Sequence, residues 1–304
     1  MNLLRSHKLS ILLFLFSSVL AHSSPRTYVS VNGSDGNTGI GCPSTSPCRS
    51  FGAALGVTDI YGEVVAIDSG DYPQVTVTQS ATLKAAPGVD ATIFAPWGDG
   101  VTITVGGGDI VVLRGLNVNG LNFGSSGIRF TAGGVLKVEN CNLANFNNNG
   151  ISMEAAGTLF VKDTEVQNAF WGIRLQSPAG LIHASIDGVH LEHGFTGVFA
   201  GENSQTTLRN SVVADYTYTA VNAGDYTGAI ELNLEGCLIQ GSYTGIVSSG
   251  GGGGGTVIVR VSHSTITDNG LGLSSFSASL LSYGNNRLAG NSSDGSFTGL
   301  ISLQ

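Results

Sequence analysis

Charge is scarce in this chain: of 304 residues only 13 are Lys or Arg and 21 are Asp or Glu, 11% in all. Phosphate recognition draws on clustered Lys and Arg, so this composition excludes nucleic acid as a partner. The formal charge of −8 also repels an acidic polysaccharide unless a cation intervenes. Long apolar runs are scarce too. The stretch Leu9 to Leu20 follows Arg5, His7 and Lys8, precedes Ala21, and is too short to span a bilayer comfortably. It reads as a secretory signal peptide over residues 1–21, which predicts a secreted or periplasmic protein with no membrane span after cleavage near Ala21. Loss of Arg5 and Lys8 would take the formal charge to −10.

Cysteine is limited to four residues of two kinds. Cys42 and Cys48 flank a short Pro/Ser/Thr loop, and an exported protein permits a disulfide there. What is abundant is glycine, 45 residues, which together with the low charge fits short strands joined by many tight turns rather than helices.

Those strands repeat. Gly115, Asn140, Asp163, Gly188, Asn210, Gly236, His263 and Asn285, 22 to 27 residues apart, share one local pattern. All are residue types that tolerate left-handed backbone, so the column predicts one αL corner on every turn of a solenoid. Rung openings align on Gly100-Val101, Gly127-Ile128, Gly150-Ile151, Gly172-Ile173, Gly197-Val198, Ala220-Val221, Gly245-Ile246 and Gly272-Leu273. A second strand with alternating apolar residues follows, as in Leu159-Phe160-Val161 and Ile230 to Leu234, and a third follows the corner, as in Glu165-Val166. Three short strands per rung predict an all-β, right-handed parallel β-helix. Cys141 and Cys237 then fall in one column with three rungs between them. At about 4.8 Å per rung they are beyond the Cα separation of about 4.4–6.8 Å that a disulfide tolerates, and read as free, buried thiols.

Just before the corner the residues run Arg114, Glu139, Lys162, Asp187, Arg209, Glu235. Alternating sign down adjacent strands favours this register by some tenths of a kcal/mol per pair, so these groups read as a structural ladder, not as catalytic acids and bases. Residues 22–95 form an N-terminal cap and first irregular rungs. Within the cap, Phe51, Ala54 and Leu55 are spaced for a short amphipathic helix over the first rung. Residues 96–304 carry the regular rungs, with Ser292 to Gln304 as a final partial strand, and Gly250 to Gly255 form a surface loop between two strands.

The segments Arg26-Thr27-Tyr28-Val29-Ser30, Cys42-Pro43 to Pro47-Cys48-Arg49-Ser50-Phe51, Leu113-Arg114-Gly115-Leu116 and Ser282-Tyr283-Gly284-Asn285-Asn286-Arg287 resemble a group of secreted bacterial β-helix proteins of the pectin-lyase-like superfamily. That resemblance implies the fold and carries no established activity. The superfamily's polygalacturonase motifs Asn-Thr-Asp, Asp-Asp, Gly-His-Gly and Arg-Ile-Lys do not occur. Gly70-Asp71-Tyr72-Pro73-Gln74 has Gln where pectin methylesterases carry Glu. The carboxylates are dispersed, unlike the Ca²⁺ cluster of a pectate lyase, and no motif asks for a metal or cofactor.

Two groups of side chains are candidate sites. His183, Asp187, His190, Glu192 and His193 are dense in titratable groups, but strand alternation sends them to different faces. Phe170, Phe195, Tyr218 and Tyr243, with Trp171 beside them, form an aromatic column at rung spacing. Facing outward it is a platform for sugar rings; facing inward it is packing. Thr196, Thr219 and Thr244 beside it are too few for an ice-binding array. The expectation is a non-catalytic extracellular or cell-envelope module associated with carbohydrate, the alternative a polysaccharide lyase or glycoside hydrolase with a degenerate site.

Overall fold

A computed structural model describes residues 23–225, 228–251 and 255–302. The segment read as a signal peptide and Gly252 to Gly254 of the glycine run lie outside the described residues. Among the described residues no helix is long and apolar enough to cross a membrane.

The chain is a parallel β-helix. Second strands of successive rungs hydrogen-bond into a twelve-stranded sheet running from Ser24–Val29 at one end to Gly299–Leu300 at the other. Alternation turns one side chain in two inward, and one in-register file for each strand of the rung illustrates the result. Leu113, Val138, Val161, Ile186, Leu208, Leu234 and Val261 line the second strands. Val118, Leu143, Val166, Leu191, Val213, Ile239 and Ile266 line the third. Ile128, Ile151, Ile173, Val198, Val221, Ile246 and Leu273 line the first. All are buried, each worth roughly 1.5–3 kcal/mol against exposure.

The corner column has left-handed φ at Gly115, Asn140, Asp163, Gly188, Asn210, Gly236 and His263. In the last rung the corner belongs to Gly284 (φ 78°) and not to Asn285. Asn285 instead accepts from the His263 backbone N–H through Oδ1. A second left-handed column, absent from the sequence reading, follows five residues after the first at Asn145, Asn168, His193, Asp215, Gly241 and Asp268. This corner turns the third strand into the next rung's first; the two run as one bent strand in Asn142–Met153, Glu165–Leu175 and His190–Ala200, and divide at Gly241 into Leu238–Gln240 and Thr244–Gly250 and at Asp268 into Thr265–Thr267 and Leu271–Phe276.

The rung-opening glycines have a steric reason. A Cβ built on Gly127, Gly150, Gly172, Gly197 or Gly245 would meet the next rung's carbonyl oxygen at 2.5–2.7 Å, closer than any side chain tolerates. Below the first corner, side chains bond between rungs: Thr164 Oγ1 accepts from the Cys141 N–H, and Ser264 Oγ from the Cys237 N–H. Both thiols are free and buried, pointing at backbone carbonyls.

At the N-terminal end the helix Phe51–Leu55, capped by Ser50, buries Phe51, Ala54 and Leu55 over the first rung. Cys42 and Cys48 are joined by a disulfide with Cα atoms 5.2 Å apart. The Asp68 carboxylate ties this end together, accepting from Ser30 Oγ, the Val31 N–H and Tyr72 Oη. Outside the coil the charge ladder stacks in register, with Arg114–Glu139 at 2.7 Å and Arg209–Asp187 at 3.3 Å.

Asn140 has φ 49°, so Asn140→Val should cost about 1–2 kcal/mol while Asn140→Gly stays close to wild type, as read by chemical denaturation. Burial pushes the Cys141 and Cys237 thiols up to about 11. A thiol reagent at neutral pH should therefore leave both unmodified in the native protein and modify both after unfolding.

Candidate binding face

Each first strand begins beyond the second corner, and its outward positions stack along the coil. The central file reads Thr102, Arg129, Ser152, Arg174, Phe199, Asn222, Val247 and Ser274, in register throughout. These are the residues two after each rung-opening Gly or Ala, so alternation places them on the outer face, where Ser152 is buried and the others are half-buried. Beside them Glu154 and Gln176 project from the same rungs as Ser152 and Arg174.

Charge gathers at one end of this face. Arg129 donates twice from Nε to Glu154, at 3.1 and 3.0 Å, and once from Nη2 at 2.8 Å. Its other side lies 3.6 Å from Asp99 Oδ2. Partial burial opposes ionisation of Glu154, but the Arg129 fork, Ser152 Oγ and the nearby Arg174 charge outweigh it and hold the carboxyl below its ordinary range. One rung further, Arg174 lies over the Trp171 ring at 5.4 Å and donates to Gln176 Oε1.

The charge then gives way to aromatic and amide groups. Gln176, Phe199, Tyr218, Asn222, Val247, Ser249 and Phe276 line an open groove of about 560 Å³. Among the described residues no side chain of this lining is charged.

The aromatic column forms the edge of the same face, at the second corner, and it points outward: Phe170, Phe195 and Tyr218 are each 37–44% exposed. Phe170 and Phe195 are parallel within 7° with centroids 4.6 Å apart, and Phe195 and Tyr218 within 12° at 4.8 Å. Parallel rings so close are stacked face to face with an offset, so they cover one another's faces and turn their edges to solvent. Trp171 meets Phe170 edge-on at 4.5 Å. The described stack ends at Tyr218. The Tyr243 N–H bonds the Tyr216 carbonyl, so Tyr243 opposes Thr217, and Tyr218 is the extra residue of a bulge. Tyr243 projects separately, 67% exposed. Trp97 and Phe123, also exposed, occupy this corner on earlier rungs. Thr196, Thr219 and Thr244 are buried, so no threonine array reaches the surface.

The titratable group does not converge. His183 and Asp187 belong to the strand Ile182–Asp187, where Asp187 meets Arg209. His190 and His193 flank Glu192 on the third strand at 3.4 and 3.7 Å. Among the described residues no set of three His, Cys, Asp or Glu side chains is grouped to hold a metal.

By sequence, no protein-family model and no curated protein matches the chain. By structure, it is similar to the pectate lyase Pel9A, with a TM-score of 0.67 at 14% identity over 94% of this chain and 80% of that one. It is also similar to an alginate lyase from Paenibacillus sp. str. FPU-7, with a TM-score of 0.61 at 13% identity over 92% and 99% of the two chains. A third likeness is XylC in complex with xylose, with a TM-score of 0.59 at 8% identity over 91% and 72%. The chain therefore has the right-handed parallel β-helix fold of pectate lyase.

Arg129→Gln should raise the Glu154 pKa, because the counter-charge and its hydrogen bonds to the carboxylate are lost. The wild-type shift is downward, so its contribution to stability is present above the ordinary carboxylate pKa of about 4 and fades as pH falls through the lowered value. An NMR titration of Glu154 and acid-unfolding curves of both proteins check the two statements.

Proposed function

We propose that the protein is an exported polysaccharide-binding β-helix that holds a glycan chain lengthwise on the first-strand face, against the aromatic edge, without cleaving it. The observation that carries this is the exposed stack Phe170–Phe195–Tyr218 bordering a groove lined by rings and amides. Sugars offer both apolar C–H faces and hydroxyls, a surface that aromatic side chains and amide groups match. The stacked rings form a stiff apolar wall, while Phe199 and Phe276 on the face and Tyr218 at the end of the stack supply ring surface in the groove.

Support for binding without cleavage comes from the state of the acids. Hydrolysis by two carboxylates needs one of them protonated and the pair facing across the scissile bond; Asp99 and Glu154 instead share one guanidinium, and Glu154 is held ionised. A lyase reading has its own support, since solved structures of the same fold include a pectate lyase and an alginate lyase, and Arg129 with two carboxylates lies on an open face.

Glycan-array or pull-down binding should be lost in the variant Phe195→Ala/Tyr218→Ala/Tyr243→Ala with the fold intact by circular dichroism. Binding that survives these changes removes the proposal. Unsaturated or reducing ends released from uronate polymers, with and without Ca²⁺, would replace it with the lyase or hydrolase reading.

A further inference from the structure

The geometry points to a neutral polysaccharide, not a polyuronate, as the occupant of the groove beside Tyr218; the inference rests on the binding reading above and specifies its ligand. A polyuronate carries a carboxylate on every sugar, so a site for it must supply cations at sugar spacing or hold metal ions between chain and protein. Among the described residues this groove supplies neither. The six polar and aromatic side chains that line it, Gln176, Phe199, Tyr218, Asn222, Ser249 and Phe276, are all uncharged.

The two arginines on the face are engaged outside that lining. Arg129 is saturated by Glu154 and Asp99, and Arg174 lies on Trp171 with Gln176 as its acceptor. A carboxylate entering the groove would shed water without gaining a counter-charge, against a protein of net charge −8. A neutral sugar meets what it needs. Rings at Phe199, Tyr218 and Phe276 face its C–H surfaces, and the Ser249 hydroxyl and two amides meet its hydroxyls. Among the described residues the Asn222 amide makes no side-chain hydrogen bond, which leaves its donors and its acceptor open.

Affinity electrophoresis tests this with soluble neutral polymers (a β-glucan, a xylan, an α-glucan) and with polygalacturonate and alginate, each at low and high salt. The expected result is retardation by at least one neutral polymer, little changed by salt, and none by the uronate polymers. Asn222→Ala should weaken that retardation by roughly fivefold, the loss of about one hydrogen bond. Phe199→Ala/Phe276→Ala should weaken it further, and Arg114→Gln, on the charge ladder away from this face, should leave it within about twofold, the scale of an exposed ion contact. Thermal unfolding of each variant identifies any that is misfolded. Retardation by a uronate polymer alone, lost in Arg174→Gln or in high salt, overturns the inference and leaves the binding function standing. Neutral-polymer binding indifferent to Asn222→Ala and to Phe199→Ala/Phe276→Ala overturns the groove as its location. Retardation by no polymer of either kind overturns this inference and the binding function together.

Discussion

Two left-handed corners, five residues apart, hold the rest of the molecule in place. Between Asn140 and Asn145, or between Asp163 and Asn168, the chain has room only for a short third strand, so each rung must turn twice at fixed points. That fixed geometry keeps parallel neighbours in register over the regular rungs, and register is what turns single side chains into files. The buried aliphatic columns, the alternating charges outside and the polar-to-aromatic face all follow from it. The glycine column extends the same constraint, because the turn into the first strand brings a carbonyl from the next rung to the place where a Cβ would stand.

Much of this was legible in the residues. The Gly/Asn/Asp/His column predicted the first corner, and seven of its eight members have the predicted left-handed φ; the exception arises because Gly284, one residue earlier, takes the turn at lower steric cost. The second corner was written in the same residue types at Asn145, Asn168, His193 and Asp215, but on those rungs it falls inside one continuous strand, so the strand pattern carried no boundary to mark it. The rung-opening glycines were visible as an alignment, whereas their cause, a contact between residues more than twenty apart, exists only once the rungs stack.

The candidate face was half legible. Phe170, Phe195 and Tyr218 stood out as a column, but ring orientation is set by rotamers and by the bulge at Tyr218, neither of which a column of letters contains. Arg129, Arg174, Phe199 and Asn222 sit two residues after the aligned Gly or Ala and were open to the same reading. Their mixed chemistry gave no repeating letter to notice, and the Asp99 to Arg129 pairing joins a turn to a strand on another rung.

The extra residue at Tyr218 has one more consequence. Trp171 closes one end of the ring stack, next to Arg174, and the bulge leaves the other end open at a groove whose described lining is uncharged. The surface therefore has a head and a tail. A polymer with chemically distinct termini cannot lie on such a track equivalently in both senses, so a glycan held there as proposed above would have a preferred direction of threading.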